Sequence, residues 1–195
     1  MRIITGSAKG CKLYAPRGLD VRPTSDRVKE SVFNILGTRV FDAQVLDLFA
    51  GTGNLSLEAL SRGAAAALLV EESPVSVAAI ERNLAHTRLA SLACIWRMDV
   101  FKALNRLTRE DRKFQLAFAD PPYNKGYAAR ILSWFDEVGP LEDGGILVIE
   151  HSGHEPLENS LCRKQMEIKR VERYGETVIT FAMAAIRGNQ EDSSI

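Results

Sequence analysis

From residue 44 onward, short apolar runs alternate with longer stretches whose apolar residues recur every three or four positions. Val45-Leu46-Asp47-Leu48-Phe49, Ala65 to Val70, Leu92 to Met98, Phe114 to Ala119 and Ile146 to Ile149 read as buried strands. Leu55, Leu57, Ala59 and Leu60 continue the first of these as a helix ending at Arg62-Gly63. Ser73-Pro74 opens another helix as a cap with a first-turn proline, and Gly144-Gly145 turns into the run at Ile146. Such alternation predicts a parallel sheet covered on both faces. The C-terminal part departs from it: Gln165 to Arg173 and Val178 to Ile186 follow each other through Tyr174-Gly175-Glu176-Thr177 with no helix between them, as an antiparallel pair would. Upstream, the pattern predicts a short β-hairpin over residues 2–14, turning near Gly6 to Gly10. A helix over about 25–37 follows, with Val28, Val32, Ile35 and Leu36 on one face and Thr24, Ser25 and Asp26 as candidate caps. The expected organisation is an N-terminal hairpin and helix (1–40), an α/β domain (41–187) and a frayed polar tail (188–195).

The chemistry concentrates where the apolar runs end. Asp120-Pro121-Pro122-Tyr123 closes the run Phe114 to Ala119, and its two prolines carry no N–H, so the first carbonyls of the loop are left to face a ligand. Asp120 and the Pro121 carbonyl can accept from an exocyclic amino group while Tyr123 stacks on the attached ring. An ordinary turn after a strand uses the same residue types. Gly51-Thr52-Gly53 forms a glycine loop between strand and helix, but Ser56 stands where the dinucleotide fingerprint requires its third glycine. Asp47 at the strand end suits a ligand with a positive centre better than a pyrophosphate. Glu71 falls eighteen residues past Gly53, near the roughly twenty-residue spacing of ribose recognition, with Glu72 as a competing choice. Asp99 closes a further run and suits either an adenine amino group or a helix N-cap, roles that can use different oxygens.

Asp47 to Gly53, Val70-Glu71, Asp99 and Asp120 to Tyr123 resemble, in order, the motifs of class I S-adenosylmethionine-dependent methyltransferases. Met1 to Gly6, Gly10, Leu13, the segment Val21-Arg22-Pro23-Thr24-Ser25-Asp26-Arg27-Val28 and the late Arg173 to Thr177 are similar to the bacterial small-subunit (16S) ribosomal RNA guanine N2-methyltransferases. Cys11 stands where that family usually carries a basic residue. The resemblance spans roughly Met1 to Ile186 and implies a Rossmann-like α/β fold, with a mostly parallel seven-stranded sheet, an antiparallel last strand and a small N-terminal hairpin. It implies S-adenosylmethionine held by Thr24, Asp47, Phe49, Ala50, Gly51, Gly53, Glu71, Asp99 and Val100, with Asp120, Pro121, Pro122 and Tyr123 as the catalytic loop. Methyl transfer to guanine N2 of 16S ribosomal RNA, within a small-subunit particle and by a monomer, is the implied reaction. The alternatives are an N6-adenine methyltransferase on DNA or RNA, and a non-catalytic RNA-binding assembly factor. About forty residues before the fold and no large insertion leave no obvious sequence-reading domain, which favours RNA over DNA.

Composition adds modest constraints. The 195 residues, 46% of them hydrophobic, suffice for one substantial core. Net charge is zero, yet residues 1–40 hold eight basic and three acidic side chains, making Lys9, Lys12, Arg17 and Arg22 the candidate RNA contacts. Three cysteines without a C-x-x-C pair speak against a disulfide framework or zinc site and fit a reducing cytoplasm. His151 and His154 read as loop residues with no third ligand cluster, so no metal is expected. No run approaches the roughly twenty apolar residues of a membrane span, and the N-terminus shows no export signal.

Overall fold

A computed structural model describes residues 1–16 and 26–186 of the chain. Seven strands, β1 (Gln44–Leu48), β2 (Ala66–Glu71), β3 (Ala93–Arg97), β4 (Phe114–Ala119), β5 (Leu141–Ser152), β6 (Met166–Tyr174) and β7 (Thr177–Ala184), form one sheet in the order β3-β2-β1-β4-β5-β7-β6. β7 runs antiparallel to both neighbours and the remaining pairs are parallel. The fold is the expected Rossmann-like methyltransferase architecture with a reversed last strand. Its topological switch point lies between β1 and β4, where such sheets bind ligands.

Strand side chains alternate between two cores. Val45, Leu69, Phe118 and Val148 pack with Phe33, Leu57 and Ile80 beneath α1 (Asp26–Leu36), α2 (Asn54–Ser61) and α3 (Pro74–Thr87). Leu46, Leu68, Ala117 and Leu147 face the other way, onto Leu104 of α4 (Val100–Glu110) and Ile131 and Phe135 of α5 (Tyr127–Val138). Each fully buried Leu or Phe contributes about 1.5–3 kcal/mol, so the two layers leave little freedom in strand register. Ser73 accepts from the Ser76 N–H at 3.3 Å with Pro74 in the first turn, as the sequence predicts.

Three elements differ from expectation. The N-terminal hairpin is short: one bridged pair, Arg2 with Lys12, is flanked by bonds from the N–H groups of Ile3, Gly10 and Leu13 to the carbonyls of Cys11, Ile3 and Met1, while the backbone around its turn bonds to α2. Ile4 and Thr5 donate to Glu58, and Ser7 and Ala8 to the carbonyl and hydroxyl of Ser61. β5 begins at Leu141, before the glycines, which sit in a register shift opposite Phe114 and Leu116. It also runs on to Ser152, so His151 is a buried strand residue bonded to Thr180 Oγ1 at 2.8 Å rather than a loop histidine. On α1, Lys29 joins Val28, Val32, Phe33 and Leu36 in the buried set, while Ile35 is half-buried. The tail from 187 onward lies outside the described residues.

Lys29 explains how the appendage is held. Its ammonium and Glu58 are both fully buried, 3.3 Å apart, and the ammonium also donates to the Arg2 carbonyl at 2.6 Å and to Asn54 Oδ1 at 2.7 Å. Glu58 in turn accepts from Arg62 at 2.7 Å. Burial holds the Lys29 amine below its ordinary value, against the opposing pull of Glu58. Removing one member leaves the other charge buried and unbalanced. Glu58→Ala is therefore expected to cost about 3–5 kcal/mol in urea unfolding, with most of the loss recovered in the double variant Lys29→Met/Glu58→Leu.

Candidate active site

The C-terminal ends of β1, β2, β4 and β5 open into a cavity of about 1170 Å³. Phe49 follows the end of β1, and its φ of 62° turns the chain sharply into the glycine loop. At Gly51 a side chain would meet nothing within 4 Å, so bare backbone faces the open space and a ligand can approach it closely. Gly53 is different. It caps α2 with φ 79°, a Cβ there would come within 2.4 Å of Leu57 Cδ1, and it is not on the cavity wall. Its positive φ favours glycine, and Leu57 packs against it.

Asp47, Phe49, Ala50, Gly51, Glu71, Asp99 and Val100 all line the cavity. Glu71 spends one oxygen on each side: Oε2 accepts from the Gly51 N–H and Oε1 from the Ser73 N–H, both at 2.8 Å. It thus braces the glycine loop against α3, and each oxygen keeps a second lone pair for a ligand hydroxyl. Glu72 also lines the cavity but is exposed. Asp99 caps α4 by accepting from the Lys102 N–H at 3.0 Å through Oδ1, which leaves its second oxygen for another donor. Beside it, Phe101 meets Tyr127 edge-on at 5.2 Å and Phe49 stacks on Tyr127 at 6.1 Å, forming an aromatic wall that suits a flat ring.

The loop Asp120 to Tyr123 forms the opposite part of the wall. Pro121 is buried and Pro122 exposed. The Tyr123 hydroxyl donates to Glu150 Oε1 at 2.9 Å and lies 3.2 Å from Thr177 Oγ1, leaving the half-buried ring fixed at its far end. Just beyond, Glu155 accepts from the N–H groups of Asn124 at 2.5 Å and Gly126 at 2.7 Å, tying down the loop's exit.

Burial dominates the electrostatics. It pushes the Asp47 carboxyl up to about 7, helped by Glu71 and opposed by Ser56, whose hydroxyl donates to Asp47 Oδ2 at 2.5 Å. Asp120 is raised well above the carboxylate range, first by burial and then by Glu150 and Asp47. Burial likewise raises the Tyr123 phenol, which stays neutral. A wall of acceptors around buried acids favours a ligand that brings positive charge and N–H or O–H donors.

Several contributors escape sequence reasoning. Ser56 was legible only as a missing glycine. Asn83 of α3 clamps the N-terminal strap, accepting from the Tyr14 N–H at 2.7 Å and donating to the carbonyls of Tyr14 and Thr52, each at 3.0 Å. Nothing in its helical setting marks it. Glu150 had a signal, since it ends the run Ile146 to Ile149 as Asp120 ends its own. Lys9 and Lys12 are exposed on the hairpin, while Arg17, Arg22 and Thr24 lie outside the described residues. Among the described residues no group of three or more His, Cys, Asp or Glu is placed to hold a metal ion, and no helix is long and apolar enough to cross a membrane.

The profile of a family described as "Conserved hypothetical protein 95" matches residues 1–183. The chain is 37% identical over 177 residues to the Bacillus subtilis protein named "Putative rRNA methyltransferase YlbH", covering 91% of this chain and 95% of that one. It is 36% identical over 161 residues to "Ribosomal RNA small subunit methyltransferase D" of Escherichia coli K12, covering 83% and 77%. Among solved structures, the T. thermophilus 16S rRNA N2 G1207 methyltransferase in complex with AdoMet and guanosine superposes with a TM-score of 0.64 at 27% identity, over 86% of this chain and 44% of that one. The chain belongs to this family of class I S-adenosylmethionine-dependent ribosomal RNA methyltransferases.

The cofactor's sulfonium gives Asp47 a testable part. Because its carboxyl is raised from the ordinary 3.8 to about 7, the stability it contributes is present below about pH 4 and lost as pH rises through about 7. Binding a cation beside it favours the ionised form. Calorimetry at pH 7 in buffers of different ionisation enthalpy is expected to show proton release on binding S-adenosylmethionine, diminished in Asp47→Asn; proton uptake would contradict this sign.

Proposed function

We propose that the protein transfers the methyl of S-adenosylmethionine to the exocyclic N2 of a guanine in 16S ribosomal RNA, acting in the cytoplasm as a monomer on a small-subunit particle. The observation that carries this reading is the Asp120–Tyr123 loop, which presents a half-buried carboxylate, a carbonyl next to a second proline and an anchored aromatic ring to one acidic cavity. When bound, S-adenosylmethionine supplies an electrophilic methyl and departs as a neutral thioether.

The residues of the chain do the rest by placement. Guanine N2 is a weak nucleophile because its lone pair is delocalised into the ring. Asp120 and the Pro121 carbonyl accept its two hydrogens, which turns the lone pair out of conjugation, and Tyr123 supports the extruded base. Attack on the methyl leaves one proton too many on nitrogen. Asp120, kept basic for a carboxylate by its surroundings, takes that proton. The remaining rate enhancement comes from alignment of nitrogen, carbon and sulfur, with no covalent enzyme intermediate.

Incubation with labelled cofactor and small subunits lacking the modification, followed by nucleoside analysis, tests the assignment. N2-methylguanosine is expected, with the rate reduced at least about 100-fold in Asp120→Ala. Labelled N6-methyladenine would move the target to adenine, and RNA binding without transfer would make the protein an assembly factor. Exposed Lys9 and Lys12 are assigned to the phosphate backbone. Replacing either by Ala is expected to lower the slope of log affinity against log salt by roughly 1, uniformly across sequences.

A further inference from the structure

Asp120 and Glu150 are neighbours by construction. The β4–β5 register pairs Ala119 with Ile149, so the next residue along each parallel strand carries its side chain over the same face and into the same cavity. Glu150 is buried, accepts from the Tyr123 hydroxyl and stands beside the group that must receive a proton.

We infer that Glu150 is a positioning residue for methyl transfer, fixing Tyr123 through its hydroxyl and setting a second negative charge beside Asp120. This rests on the reading of Asp120 as the group that takes the N2 proton. Geometry supports both parts. Tyr123 is anchored between Glu150 Oε1 and Thr177 Oγ1, from β5 and the start of β7, so its ring cannot swing without breaking contacts to two strands. Asp120 is faced by Asp47 from β1 and by Glu150 from β5, and Glu150 is the larger electrostatic influence on it. Among the described residues, the other titratable groups on the wall are the Met1 amine, Glu71, Glu72, Asp99, Lys125 and Tyr127. Glu71 acts on Asp47. His151, the next residue of β5, points to the opposite face, where it bonds Thr180.

Two substitutions separate the roles. Glu150→Gln keeps an acceptor for Tyr123 but removes the charge; Glu150→Asp keeps the charge but draws it back from the hydroxyl. Single-turnover methyl transfer is measured against pH at saturating cofactor and RNA, with cofactor affinity measured by calorimetry on each variant. In Glu150→Gln the limb that reports ionisation of Asp120 is expected to move to lower pH by about one unit or more, with the plateau rate down at least tenfold and cofactor affinity within about twofold of wild type. In Glu150→Asp the limb stays in place and only the rate falls. Tyr123→Phe is expected to behave as Glu150→Asp does. An unmoved limb in Glu150→Gln, or a loss of cofactor affinity matching the loss of rate, would overturn the inference. If wild-type protein transfers no methyl to guanine, the reading of the reaction fails instead. The effect of Glu150 on Asp120 is then decided by carbon NMR titration of labelled aspartate, where an Asp120 midpoint identical in wild type and Glu150→Gln overturns it.

Discussion

The period of two along a β-strand, locked by parallel register, organises this molecule. Asp47 stands level with Leu69 and Phe118 on the neighbouring strands, and Ala119 level with Ile149. Counting two residues on from Leu69 and Phe118, and one from Ile149, brings Glu71, Asp120 and Glu150 to the same face as Asp47. Four adjacent strands therefore deliver acids to one edge of one cavity. A slip of one residue towards the C-terminus would turn each acid into the opposite core and bring Leu46, Val70, Ala119 or Ile149 into the site. Register is held by the same apolar layers that stabilise the sheet, so the geometry of the active site is set by hydrophobic packing rather than by contacts among the acids themselves.

Concentrating carboxylates in this way is unfavourable without compensation, and the chain compensates locally. Ser56 donates to Asp47, two backbone N–H groups donate to Glu71, Tyr123 donates to Glu150, and Asp99 caps a helix. Such a wall suits a ligand that brings a positive centre and N–H or O–H donors. The same logic appears away from the site in Lys29 and Glu58, where a buried ion pair fastens the N-terminal segment to α2, the helix that the glycine loop opens. Asn83 adds a second fastening, from Tyr14 to the Thr52 carbonyl. The hairpin that displays Lys9 and Lys12 is thereby coupled mechanically to the glycine loop.

Much of this was legible in the sequence because the signals are local. Apolar runs ending in acids marked β1, β2 and β4, and the two-residue turn Gly175-Glu176 marked the reversed β7. The features that were not legible depend on distant partners. The hairpin follows from its own alternation and pairs across Ile3–Cys11 and Met1–Leu13, but the bonds from its turn to Glu58 and Ser61 have no local signal. Lys29 looks like a solvated helix residue until Glu58 and Asn54 surround it. Gly53 reads as a ligand contact by motif, while its positive φ at the start of α2 and its packing against Leu57 depend on the fold. Glu150 is visible in principle, since it follows the apolar run Ile146 to Ile149 as Asp120 follows its own, but its weight comes from the β4–β5 register, which pattern alone does not supply.

The central claim is that the loop after β4 holds an amino group between Asp120 and the Pro121 carbonyl. A crystal structure of the protein with S-adenosylhomocysteine and guanosine tests it most directly. The account predicts the base lying on Tyr123 with N2 within hydrogen-bond distance of both oxygens and its free side toward the sulfur. A base seated with N2 turned away from Asp120, or bound outside the cavity, would contradict it.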